Sequence, residues 1–244
     1  MATNWRVYAA SAIGKGHISL GVPCQDAFDY VSRNGRLIAA VCDGAGSASR
    51  SEIGATSCAK TVSAFLSSCQ GRPEDACDRQ IISQAVERAR ECIDAHSSEI
   101  GLPSRELACT LVGAVCHDEG GCLFHIGDGV GVVEFDDGTS VLSLPENGEY
   151  ANETYFVTQD EWSAHLRVTP FSGRVRCLAL MSDGAMSFAF KKTGLFRPFI
   201  DPVVSYLNNT EEAEGSEALL ATLGGEGTWA ITSDDKTLLV ALPR

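Results

Sequence analysis

The order of elements along the chain predicts an α+β domain, a mostly antiparallel sheet assembly covered by helices. Strand-like runs come first, then two long amphipathic stretches, then a longer series of strands, two more helical stretches and one closing strand. Simple βα alternation, which would give a parallel sheet, is missing. Asn-Gly and Asp-Gly pairs also stand between neighbouring strand runs, where hairpins need turn residues.

The opening strands are Arg6–Ala10, Ala27–Ser32 and Leu37–Cys42, the last two joined through Asn34-Gly35. Ser51–Cys69 then places Ile53, Ala55, Cys58, Thr61, Val62, Phe65 and Leu66 near one helical face. Asp78–Ile100 does the same with Ile81, Ile82, Ala85, Val86, Ala89, Cys92 and Ile93, and Gly101 with Pro103 stops it. Strands are expected at Ala108–Cys116, Gly121–Ile126, Val130–Phe135, Ser140–Leu144, Tyr155–Thr158 and Ala164–Val168. Val175–Met181 is an apolar run interrupted only by Arg176, long enough for a buried central strand. Pro198–Asn208 and Glu211–Leu223 are expected helices, and Thr237–Leu242 is the last strand. No linker or solenoid repeat divides the 244 residues, so one domain is expected over 1–244.

The composition is globular, with 44% hydrophobic and 21% charged residues. Nineteen basic against 32 acidic residues leave a net charge of −13. That balance disfavours nucleic acid and anionic membranes, whose affinity comes from Lys and Arg neutralising phosphates. It suits a basic partner or a site that concentrates cations. The ten cysteines include no CxxC pair, and several sit inside apolar runs as small hydrophobes. Met1 to Ala12 lacks a basic region followed by an apolar core, and no run of about 18 apolar residues occurs. A reducing, cytoplasmic setting is the expectation.

Three apolar strands end alike. Leu37–Cys42 runs into Asp43-Gly44, Leu123–Ile126 into Gly127-Asp128-Gly129, and Val175–Met181 into Ser182-Asp183-Gly184. A further acidic pair, Asp234-Asp235, precedes the final strand. Strand ends are rigid, so carboxylates there can be aimed at one point, and the following glycine lets backbone approach closely. Converging carboxylates repel one another unless a cation neutralises them, and such hard oxygen ligands suit Mg²⁺ or Mn²⁺ better than zinc. Asp137-Gly138 is the internal control: it lies between two strands in register and is read as a turn alone.

The segments GKGHISLGVPCQDA (Gly14–Ala27), AAVCDGAG, CTLVGAVCHDEGGCLFHIGDGVGVV, LALMSDGAM and SDDKTLLVAL occur in this order. In this they resemble the metal-dependent protein phosphatases of the protein phosphatase 2C (PPM) type, compact bacterial branch, from about residue 7 to 242. The resemblance implies a four-layer α-β-β-α sandwich of two mostly antiparallel sheets, with metals at one end. It implies that Asp43 bridges two metals, that the Gly44 carbonyl helps to hold the first, and that Asp183 and Asp234 complete the second. Asp128 matches the ligand of a third ion in bacterial members. Gln25 and Asp26 match a pair that orders metal-bound water, with Gln in place of the more usual Glu. The implied reaction is hydrolysis of phosphoserine and phosphothreonine on a phosphorylated protein, by a hydroxide bridging two Mg²⁺ or Mn²⁺ ions. A cognate Ser/Thr kinase would be the opposing partner.

Two positions depart from the family pattern. Gly21 stands where better-known members carry a phosphate-gripping Arg, and Ala45 where a His follows the Asp-Gly. His17 is the expected substitute, contacting phosphate or protonating the leaving group. Lys15 and Arg50 are further candidates for phosphate contact. The same departures support a rival reading, a catalytically weak or inactive regulatory module, which retention of Asp43, Asp183 and Asp234 opposes. His96 and His117 are expected at the surface, and His125, His165 and the tryptophans in packing. Pro145–Glu153 is expected as a loop, where the family has a variable flap.

Overall fold

The computed structural model describes residues 4–69, 73–146, 154–192 and 194–244. In chain order the strands and helices are β1 (Trp5–Ala12), α1 (Lys15–Leu20), β2 (Ala27–Arg33), β3 (Arg36–Cys42), α2 (Ser51–Ser68) and α3 (Arg79–Ile100). There follow β4 (Leu111–His117), β5 (Gly120–Ile126), β6 (Val130–Phe135), β7 (Ser140–Ser143), α4 (Trp162–His165), β8 (Arg167–Ser172) and β9 (Val175–Met181). The chain continues through α5 (Asp183–Ala189), β10 (Phe190–Lys191), β11 (Gly194–Leu195), α6 (Arg197–Leu207), α7 (Glu212–Leu223), α8 (Glu226–Trp229) and β12 (Lys236–Pro243).

Ten of these strands form two five-stranded sheets, ordered β1-β12-β9-β6-β7 and β2-β3-β4-β5-β8, and the neighbours pair antiparallel. The period-2 alternation of each strand decides which side chains face which layer. Val7 and Ala9, Ala39 and Val41, Val112 and Ala114, Leu178 and Leu180, and Leu239 and Ala241 meet between the sheets. The opposite faces of the second sheet, Ile38 and Phe124 among them, pack on Ala55, Val62, Ile82 and Ile93 of α2 and α3. Those of the first sheet, Val132 and Val240 among them, pack on Phe188, Ile200 and Leu219 of α5, α6 and α7. The result is the expected α-β-β-α sandwich.

Local chemistry sets several boundaries. Asn34 and Gly35 both have positive φ (53° and 76°), the conformation a tight β2–β3 hairpin requires. The Asp78 carboxylate accepts from the Gln80 N–H at 2.6 Å and caps α3, while Gly101 closes it at φ 70°. Asp137 accepts from the Thr139 N–H at 2.9 Å and from Thr139 Oγ1 at 2.6 Å, bonds that stay within the β6–β7 turn.

Two expected strands are corrected. Tyr155–Thr158 is not a strand. It is an irregular segment whose backbone is satisfied by other partners: the Val157 N–H donates to Cys109 O at 2.8 Å, and the Arg90 guanidinium of α3 takes Val157 O and Gln159 O. Ala164–Val168 divides between α4 and β8, because Trp162 and Leu166 bury their side chains and Arg79 takes Leu166 O at 2.6 Å. β8 contains Pro170, tolerated on the sheet edge. The loop expected at Pro145–Glu153 lies, from residue 147 onward, outside the described residues. His125 is buried and donates to or accepts from Ser143 Oγ at 2.9 Å, and His165 stacks on Tyr155. No disulfide joins the described cysteines, and no described helix is long and apolar enough to cross a membrane.

Candidate metal centre

At one end of the sandwich a cleft of about 150 Å³ is lined by His17, Gln25, Thr110, Thr154, Phe156, the Gly44–Gly46 backbone turn and five aspartates: Asp43, Asp128, Asp183, Asp234 and Asp235. The carboxylates arrive from four separate places in the chain because β3, β5 and β9 all end at this edge and β12 begins there. The described lining contains no Lys or Arg.

Asp43 is held by reciprocal bonds to Thr110: its N–H donates to Thr110 Oγ1 at 3.1 Å, and its carbonyl accepts from the Thr110 N–H at 2.8 Å. Asp128 accepts from Thr154 Oγ1 at 2.7 Å. Asp183 opens α5, and Gly184 beside it has no room for a side chain, since a Cβ there would come 1.9 Å from Asp235 O. This crossing of two backbones locks the Asp183 and Asp234-Asp235 segments together. Lys236 is fully buried directly after them, its Nζ donating to Asp234 O at 2.9 Å.

Asp235 has a different task from Asp234. Its buried carboxylate accepts from the Gly14 and Gln25 N–H groups, both at 2.6 Å, and lies 2.8 Å from His17 Nδ1. It therefore ties α1 and the Gln25-Asp26 step to the end of the sheet. Asp234, whose Oδ1 accepts from the Asp235 N–H at 2.9 Å, is exposed at the cleft.

Asp26 lies behind the lining, buried, and accepts from Ser182 Oγ at 2.7 Å. Burial raises its pKa to about 7. Desolvation, with the nearby charges of Asp26 and Asp183, pushes Asp43 well above the usual carboxylate range. Desolvation and the charges of Asp234 and Asp128 raise Asp183. Buried oxygens without a hydrogen-bond partner remain on Asp183 (Oδ1), Asp26 (Oδ1) and Gln25 (Oε1).

These observations fit hard divalent cations: crowded carboxylates that resist ionisation alone, and orphaned oxygens facing no donor. Among the described residues no group of three or more His, Cys, Asp or Glu side chains is drawn together so as to hold a metal ion without water. An open ring suits ions such as Mg²⁺, which keep several waters and take one or two carboxylates.

Of the other sequence candidates, His17 lines the cleft, but Lys15 and Arg50 do not. Lys15 is exposed at the start of α1, and Arg50 turns to Glu52 with Nε 2.8 Å from Oε1. Sequence reasoning passed over Thr110, Thr154, Ser182, Lys236 and the tethering role of Asp235. Only Ser182 and Lys236 carried a signal, by standing directly next to the acidic motifs.

The family model of protein phosphatase 2C matches residues 13–224. The chain belongs to the protein phosphatase 2C family. It is 30% identical over 249 residues to serine/threonine-protein phosphatase 3 of Escherichia coli (strain K12), covering 98% of both proteins. The fold is shared with the catalytic domain of the serine/threonine protein phosphatase PstP in complex with two manganese ions (TM-score 0.66, 18% identity, 99% of each chain). It is shared also with Stp1 of Staphylococcus aureus (TM-score 0.64, 13% identity, 99% of this chain and 96% of that one). RsbX in complex with magnesium gives a TM-score of 0.58 at 14% identity, over 99% of this chain and 96% of that one. As a member of this metal-dependent family, the chain carries its acidic cleft where the two sheets of the phosphatase sandwich end.

Proposed function

We propose that the chain hydrolyses phosphoserine and phosphothreonine esters on proteins, and that a Ser/Thr kinase opposes it. The observation that carries this reading is the convergence of Asp43, Asp128, Asp183 and Asp234 on one cleft without a Lys or Arg among its described lining residues. Asp43, the Gly44 carbonyl, Asp183 and Asp234 would hold two Mg²⁺ or Mn²⁺ ions, and Asp128 a third. When bound, such cations bring the pKa of a coordinated water toward neutrality and offset charge on the phosphoryl oxygens. Gln25 Oε1 and Asp26 Oδ1, which lack protein partners, are acceptors positioned to orient a water.

His17 takes the place of the missing cationic side chains. Gly21 closes α1 at φ 66°, a conformation that resists an Arg, and the same short helix brings His17 to the cleft. With Nδ1–H donating to Asp235, the Nε2 of His17 is available to contact phosphate or to pass a proton to the leaving oxygen. Manganese-dependent release of phosphate from a phosphothreonine peptide and from an aryl phosphate tests the reading. Absence of turnover in a preparation shown by calorimetry to bind manganese would make the chain a binding module instead.

A further inference from the structure

We propose that Phe156, together with Ala45, Ala48 and Ala108, forms a subsite for an apolar residue flanking the phosphorylated side chain; this rests on the phosphatase reading above. These four residues form an apolar cluster of their own, apart from the three large cores of the sandwich. Phe156 and Ala45 line the same cleft as the five aspartates, where the other described lining side chains are polar. The phosphoryl group belongs among the carboxylates and their cations. The atoms that reach the apolar wall therefore belong to the rest of the substrate, and an apolar wall rewards apolar atoms.

The wall is built to stay in place. Ala45 donates its N–H to Ala108 O at 2.9 Å and accepts from the Ala48 N–H at 2.9 Å. Phe156 sits in a turn closed by its own N–H to Gln159 Oε1 at 3.1 Å and by the Gln159 N–H to Phe156 O at 3.2 Å. On either side, Tyr155 stacks on His165 with centroids 3.4 Å apart, and Val157 is fully buried. Arg90 fastens the turn from below through Val157 O and Gln159 O, with its guanidinium 5.8 Å from the Trp162 ring centre. A side chain so supported offers contact area with little ordering cost.

This wall also makes sense of Ala45. A polar residue there would break the apolar floor beneath Phe156, so the substitution that removes a histidine from the cleft creates a hydrophobic contact surface instead.

The test compares two phosphothreonine peptides that differ only in carrying Leu or Gly on both sides of the phosphorylated residue. The manganese-loaded wild type should favour the Leu peptide in kcat/KM by about tenfold, the discrimination that contact with one apolar side chain supplies. Phe156→Ala should bring that ratio close to one, and Phe156→Leu should keep most of it. Equal losses on both peptides in Phe156→Ala, or a wild-type ratio near one, would overturn the subsite while leaving the phosphatase reading intact. Hydrolysis of neither peptide by the wild type would overturn both.

Discussion

Asp234 and Asp235 are adjacent and chemically identical, yet their surroundings divide their tasks. Asp235 is surrounded by donors from Gly14, Gln25 and His17 and acts as a buried fastener. Asp234 remains at the cleft. Ionic character alone does not separate them in the sequence; the resemblance pointed to Asp234, and the direction of each side chain just before β12 gives Asp235 its separate task. His17 inherits its orientation from this arrangement. If its Nε2 protonates the leaving oxygen, His17→Ala should lower kcat on a phosphothreonine peptide on the order of 100-fold. The loss should be far smaller on p-nitrophenyl phosphate, whose leaving group departs without a proton. Equal losses on both substrates would assign His17 to phosphate contact, and an unchanged turnover and pH profile would remove it from the mechanism.

Among the elements, the long amphipathic helices and the apolar strands were legible because their periodicity is set by one buried face. The faces expected for α2 and α3 match the observed burial of Ala55, Cys58, Val62 and Leu66, and of Ile82, Ala85, Val86, Ala89 and Ile93. The short pieces were not legible. α1 has no buried residue to mark its period, and the 154–159 turn depends on Arg90, more than 60 residues earlier in the chain. The aspartates could be read from their places at strand ends, whereas Thr154 and Phe156 meet the cleft through tertiary contacts that leave no trace in spacing. Local rules can also mislead about mutations. Helix propensity says that Gly54→Ala in α2 should stabilise by about 1 kcal/mol. A Cβ at Gly54 would, however, come 1.8 Å from Leu107 O. Gly54→Ala should therefore destabilise by about 2 kcal/mol, seen as a lower urea midpoint with unchanged slope.

The molecule as a whole places like charges together, and under the proposed function cations make that arrangement favourable. Ligand linkage predicts that manganese at about 100 times its Kd adds about 2.7 kcal/mol, which for a chain of this length raises Tm by roughly 5–10 °C. EDTA should reverse the rise. Asp183→Asn should abolish the response to manganese while keeping or raising the Tm measured in EDTA, because one of the mutually repelling carboxylates is gone. A response equal to that of wild type would place the ions elsewhere.

The pairing of β12 between β1 and β9 makes the acidic cleft depend on a late segment of the chain. The strand that fills this interior gap comes late in the order of elements, with Asp234 just ahead of it. A chain cut short of β12 would therefore lack both an inner strand of the first sheet and Asp234 at the cleft.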